Sequence, residues 1–195
     1  MANAVVLASG RGTNFEALVR GLENTNHVIS ALIHDRKKAL AAEKAVRHSI
    51  PAFYISYYKR ERDEAEKEIE EIINRTGSGL IILAGFMRLL SPEFTRKYSG
   101  KIINIHPSLL PRHKGMDGIK KSYESGDDQL GITIHYVNEE LDAGTVIAQY
   151  SFKKRPGAKL SEIEEEIHRL EHTYYPEVVR DLLDKQESEH KGGIS

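Results

Sequence analysis

Five short apolar runs, each followed by a longer amphipathic stretch, constrain this chain more than any other feature. They are "AVVLAS" (4–9), "VISALIH" (28–34), "PAFYI" (51–55), "LIILAG" (80–85) and "KIINIH" (101–106). They alternate too little for strands with one wet face, which marks strands covered on both sides. The stretches between them, at about 14–24, 38–48, 60–75 and 91–98, predict helices. In "SPEF" (91–94), Ser is placed as N-cap and Pro as the first helical residue. Strand and helix in alternation predict an α/β fold, doubly wound around a mostly parallel sheet.

The second half changes character. "GITIHYV" (131–137) and "TVIAQYSF" (145–152) are β-branched, more alternating runs joined by "NEELDAG", and they predict an antiparallel addition to the sheet. A long helix is expected over about 160–185, with Leu160, Ile163, Ile167 and Leu170 on one stripe. At 195 residues the chain predicts one domain, residues 1–186, followed by a polar, frayed tail over 187–195.

Composition removes several function classes. The formal net charge is −1, so bulk electrostatics give no case for nucleic acid or an anionic membrane as partner. There is no cysteine, which excludes disulfides, thiolate metal sites and a Cys nucleophile. No apolar run approaches the ~20 residues of a membrane span, and "MANAVVLASG" does not read as a signal peptide. A cytoplasmic protein is expected, as a monomer or a homodimer.

Three stretches suggest chemistry. In "NIHPSLLP" (104–111), Asn104 and His106 stand two apart at the end of a core strand, so they share a face. An amide donor beside an imidazole suits a carbonyl oxygen that becomes negative, and the carboxyl edge of such a sheet is where ligands bind. A satisfied polar pair at a sheet rim is the plainer reading. In "ASGRGTNFEAL" (8–18), a strand ends, two glycines follow and a helix begins, with Thr13 and Asn14 as extra donors. Helix N-termini seat anions, but the third glycine of a dinucleotide fingerprint is replaced by Phe15, and no Walker lysine follows. Phosphate binding and a turn that merely needs glycine are evenly matched. In "ELDAG" (140–144), Asp142 could hold a nearby imidazole charged, or could simply form a turn. His106, His113 and His135 lack metal-ligand spacing, and no metal is expected.

Taken together and in order, "SGRGTN", "LAGFMRLLSP", "NIHPSLLP", "GITIHYVNEELDAG" and "EHTYYP" resemble the folate-dependent phosphoribosylglycinamide formyltransferase family over residues 3 to 185. The resemblance implies a Rossmann-like formyltransferase fold. It implies transfer of a formyl group from 10-formyltetrahydrofolate, the co-substrate, to the amine of 5-phosphoribosylglycinamide in de novo purine biosynthesis. By the same resemblance, Asn104, His106 and Asp142 are the catalytic trio. Gly12, Thr13 and Asn14 cradle the acceptor's phosphate, and Glu171 binds its ribose. Met87, Arg88, Leu89 and Leu90 wall the pterin pocket, Asn138, Glu139, Glu140, Leu141 and Asp142 close over it, and Arg62 is associated with the folate.

The run "RHKGMDGIKK" departs from the family pattern at Lys114, Met116, Asp117 and Gly118, as does Thr145 after "LDAG". "LPRHKG" leans towards tRNA and sugar formyltransferases. The alternatives are therefore a sugar formyltransferase, a formyltetrahydrofolate hydrolase or a non-catalytic binding module. Too little chain follows residue 152 for a tRNA-binding domain.

Overall fold

The computed structural model describes residues 2–192. In β1 (Asn3–Ala8), side chains alternate between two cores: Ala4, Val6 and Ala8 enter one, Val5 and Leu7 the other. The same double burial holds for β2 (Val28–His34), β4 (Leu80–Leu83) and β5 (Ile102–His106), which explains their near-continuous apolar sequences. With β3 (Ala52–Tyr54), β6 (Gln129–Tyr136) and β7 (Val146–Lys153), they form one sheet in the order β3-β2-β1-β4-β5-β6-β7. β1 to β5 pair in parallel, while β6 and β7 are antiparallel additions. The winding reverses between β1 and β4, so their carboxyl ends open a crevice.

The helices α1 (Thr13–Gly21), α2 (Leu40–Arg47) and α6 (Leu160–Gly192) cover one face. The other is covered by α3 (Arg62–Thr76) and α4 (Pro92–Lys97). The cap expected at Ser91 forms: its side chain accepts from the Phe94 N–H at 3.1 Å, with Pro92 first in α4. Buried Glu66 of α3 accepts in turn from the Ser91 amide at 2.8 Å and from its hydroxyl. Tyr175 of α6 donates to the Leu83 carbonyl at 2.9 Å, tying the long helix to the end of β4. Gly21 lets α1 meet α6, since a Cβ there would lie 2.3 Å from that of Pro176.

Three expectations change. The first helix stops at Gly21, because the Thr25 hydroxyl binds the Leu22 carbonyl at 2.8 Å and Asn24 turns left-handed at φ 62°. The last helix runs on to Gly192, so the stretch expected to fray from 187 is helical that far; Gln186, Glu187 and Glu189 are good helix formers. Residues 193–195 of that tail lie outside the described residues. A short helix, α5 (Gly118–Glu124), was not expected, since "GMDG" reads as loop and leaves less than two turns of pattern.

Candidate active site

β5 ends with Asn104 and His106 on one face, and β6 runs beside it in antiparallel register, with Asn104 opposite His135 and His106 opposite Thr133. His135 Nδ1 lies 2.9 Å from the Tyr136 carbonyl, so it must donate there. Burial pushes this imidazole below its ordinary pKa and keeps it neutral. Its Nε2 is then an acceptor, 3.2 Å from Asn104 Nδ2. The Asn104 amide is thereby oriented, with one N–H spent on His135 and the other left for a ligand.

His106 is anchored from the other side. Its Nε2 lies 2.9 Å from the His113 carbonyl and must donate to it. Its Nδ1 stands 3.3 Å from Asp142 Oδ2, with both side chains nearly buried. Asp142 Oδ2 also accepts from the Gly115 N–H at 2.8 Å, and Oδ1 lies 3.7 Å from His135 Nε2. Asp142 adopts the left-handed region at φ 49°, which aspartate tolerates better than most residues. Gly144 is what lets this loop close: a Cβ there would sit 1.7 Å from the Tyr136 carbonyl oxygen. A carboxylate and an anchored imidazole beside an oriented amide make a site for an oxyanion and a moving proton.

These groups lie in a cavity of about 630 Å³ with two unlike ends. At one end α1 begins. Its N-cap, Gly12, makes no side-chain cap bond, so the first backbone N–H groups of the helix are open. Asn14 Nδ2 donates to buried Glu171 Oε2 at 3.2 Å, leaving Asn14 Oδ1 buried without a partner. His168 Nδ1 binds the same Glu171 oxygen at 3.0 Å, and that bond raises the His168 pKa against the opposing effect of burial. Arg11 lies on the same rim, exposed.

The other end is apolar. Met87, Leu89, Met116 and Leu141 are at least half exposed, at 50%, 53%, 68% and 56%, and all four border the cavity. The segment carrying Met87 and Leu89 is held in place by Ser9, whose Oγ accepts from the Met87 N–H at 2.7 Å, and by Arg88, whose Nε binds buried Asp35 at 2.6 Å.

The formyl transferase family matches residues 2–179. The chain belongs to that family. Among its formyl transferase relatives, the phosphoribosylglycinamide formyltransferase of Bacillus subtilis is 41% identical over 186 residues, covering 94% of this chain and 95% of the relative. That of Escherichia coli is 33% identical over 193 residues, 97% and 91% of the two chains. The solved glycinamide ribonucleotide transformylase 1 from Geobacillus kaustophilus superposes with a TM-score of 0.88 at 41% identity, covering 94% of this chain and 99% of that one.

Most residues named by the resemblance come together in this formyl transferase's cavity. Asn104, His106, Asp142, Gly12, Thr13, Asn14, Glu171, Met87, Arg88, Leu89, Leu90, Asn138, Glu140 and Leu141 all line it. Two do not. Arg62 lies exposed at the start of α3 and is absent from the lining, and Glu139 turns outward to pair with Arg96 at 2.9 Å. Gly12 lines the cavity and also answers to packing. It sits at φ 68°, and a Cβ there would lie 2.7 Å from Ala41 of α2, so glycine is required by helix packing. Gly10, also on the lining, has open space around it.

Sequence reasoning missed His135, His168 and Arg11 as site residues. The signal for His168 was present, three residues before Glu171 on one helix, hence its neighbour. His135 becomes visible only once the register of β6 against β5 is known, which sets it opposite Asn104. Among the described residues, no group of three or more His, Cys, Asp or Glu side chains is placed to hold a metal ion. No helix among them is long and apolar enough to cross a membrane.

Proposed function

We propose that this chain transfers the formyl group of 10-formyltetrahydrofolate to the amine of 5-phosphoribosylglycinamide in de novo purine biosynthesis. The observation that carries the reading is the placement of Asn104, His106 and Asp142 between an open helix N-terminus and an apolar wall, in one cavity. A phosphate monoester suits the N-terminus of α1, beside His168 and Arg11. Glu171 and the unpartnered Asn14 Oδ1 are acceptors, which suit the hydroxyl groups of a ribose. A flat, partly apolar pterin suits the wall at Met87 to Leu90.

The mechanism follows from the hydrogen-bond roles. The acceptor's amine attacks the formyl carbon, and negative charge collects on the formyl oxygen. The free N–H of Asn104 and a protonated Nδ1 of His106 stabilise it. Asp142 Oδ2, 3.3 Å from His106 Nδ1, orients the ring. The tetrahedral species collapses as the attacking nitrogen gives up its proton and the departing folate nitrogen gains one. His106, with Asp142, is placed to supply that second proton. We further propose a single catalytic domain that works in the cytoplasm as a monomer or homodimer, without nucleic acid or membrane.

The test is to incubate the protein with 10-formyltetrahydrofolate and follow deformylation with and without phosphoribosylglycinamide. Turnover only with acceptor, yielding the formylated nucleotide, supports the transferase. Equal turnover without it identifies a hydrolase, and no turnover in either case identifies a binding module.

A further inference from the structure

One carbonyl near the site is held with unusual care. His113 O accepts His106 Nε2–H at 2.9 Å. The peptide around it is fastened by the Ser108 hydroxyl, which lies 2.8 Å from the Arg112 carbonyl and 3.4 Å from that of His113. His113 itself is in the left-handed region at φ 57°, where a residue with a Cβ is disfavoured by about 1–2 kcal/mol. Its own side chain compensates: His113 Nε2 lies 2.7 Å from Asp127 Oδ2, and Arg112 Nη1 takes the other Asp127 oxygen at 2.8 Å. Asp127 comes from a different segment, between α5 and β6, where its N–H is held by Ser125 Oγ at 3.3 Å. The hydrogen bond from His113 holds the Asp127 carboxyl below its ordinary pKa, so it stays ionised.

We propose that Asp127 and His113 form a positioning clamp that fixes which nitrogen of His106 handles the proton. It rests on the reading of His106 given above. With Nε2–H committed to the His113 carbonyl, Nδ1 is the nitrogen that exchanges its proton, and Nδ1 is the one beside Asp142. If the carbonyl shifts, the competing tautomer places the only hydrogen on Nδ1, against Asp142, and leaves Nε2 bare. The ring then rests in a state in which loss of the Nδ1 proton is no longer the easy step. Asp127 and His113 touch no reacting atom in this scheme; they act through His106.

The test uses the full chain with Asp127→Ala and with His113→Asn. Asparagine tolerates the left-handed backbone but is too short to keep the contact with Asp127. In each variant kcat should fall about ten- to a hundredfold, the range that a misplaced catalytic group produces, with both substrates' KM within about twofold of wild type. Ring nitrogen shifts in histidine-labelled protein, read on the alkaline side of the ring's titration where it is neutral, should show His106 as the Nε2–H tautomer in the wild type and as a mixture in the variants. If a variant folds poorly, Asp127→Asn, which keeps an acceptor oxygen for His113, should retain the wild-type tautomer and kcat; a tautomer mixture there overturns the clamp. Wild-type kcat in both variants beside an inactive His106→Ala overturns the clamp and leaves the His106 reading standing. Full activity of His106→Ala overturns that reading and the clamp with it. A fall in kcat with the His106 tautomer unchanged also overturns the clamp, since Asp127 would then serve only the loop.

Discussion

At the scale of single residues, the site depends on charges that specific partners set. Asp142→Asn keeps the shape but removes the charge beside His106 Nδ1. Turnover should fall. The losses in Asp142→Asn and His106→Ala should not multiply, since both disable one proton-handling unit. Near-wild-type turnover in Asp142→Asn would make it a turn residue only. Asn104→Ala should cost about a hundred- to a thousandfold in kcat, as loss of an oxyanion donor does. His168 gives a pH dependence. Its pKa is raised above 6.5 by Glu171, so its charge is present at acidic and neutral pH and is lost as pH climbs through the raised value. A phosphate monoester is already dianionic above about pH 6. The acceptor KM should therefore rise on going alkaline, the folate KM should not, and His168→Lys should flatten the curve. A wild-type acceptor KM that does not respond to pH would remove His168 from the acceptor site.

At the scale of elements, close approach of backbone explains several sequence choices. Gly144 packs a loop onto β6, where a Cβ would meet the Tyr136 carbonyl at 1.7 Å. Gly144→Ala should cost about 1–3 kcal/mol, read as a lower urea midpoint. It should also lower kcat, because Asp142 lies in the displaced loop. Tyr175→Phe removes the bond to the Leu83 carbonyl and should cost about 1–3 kcal/mol, since a buried acceptor loses its partner. Gly12→Val is a poor probe of phosphate binding, because the clash with Ala41 will act first on folding. The strands were legible because a doubly covered sheet leaves continuous apolar runs, and β2 has the bounds read from its residues, Val28–His34. α5 was not legible, because a glycine-led helix of 7 residues shows no period.

At the scale of the whole molecule, the site was legible where its members lie close together in sequence or belong to ordered motifs, as Asn104, His106 and Asp142 do. It was not legible where function depends on register between distant strands, as with His135, or on two loops meeting, as with His113 and Asp127. The outward turn of Glu139 likewise depends on Arg96, which lies on a helix 43 positions away. The assembled cavity has the open N-terminus of α1 at one end and an apolar wall at Met87 to Leu90 at the other, with Asn104, His106 and Asp142 between them. That division has a consequence no single residue predicts. The chain's net charge is only −1, so long-range attraction adds little for either proposed substrate, and each should be held by its own end. Sulfate carries the charge and shape of the acceptor's phosphate but offers nothing to the apolar wall. It should therefore compete with phosphoribosylglycinamide, raising its KM in proportion to sulfate, and leave the KM for 10-formyltetrahydrofolate unchanged. Sodium chloride at equal ionic strength separates screening from occupancy, because chloride screens equally but does not fill the seat. Initial rates over a matrix of both substrates, with each salt, decide it. Sulfate that raises the folate KM instead would place the anion seat at the apolar end and reverse the assignment of the two ends.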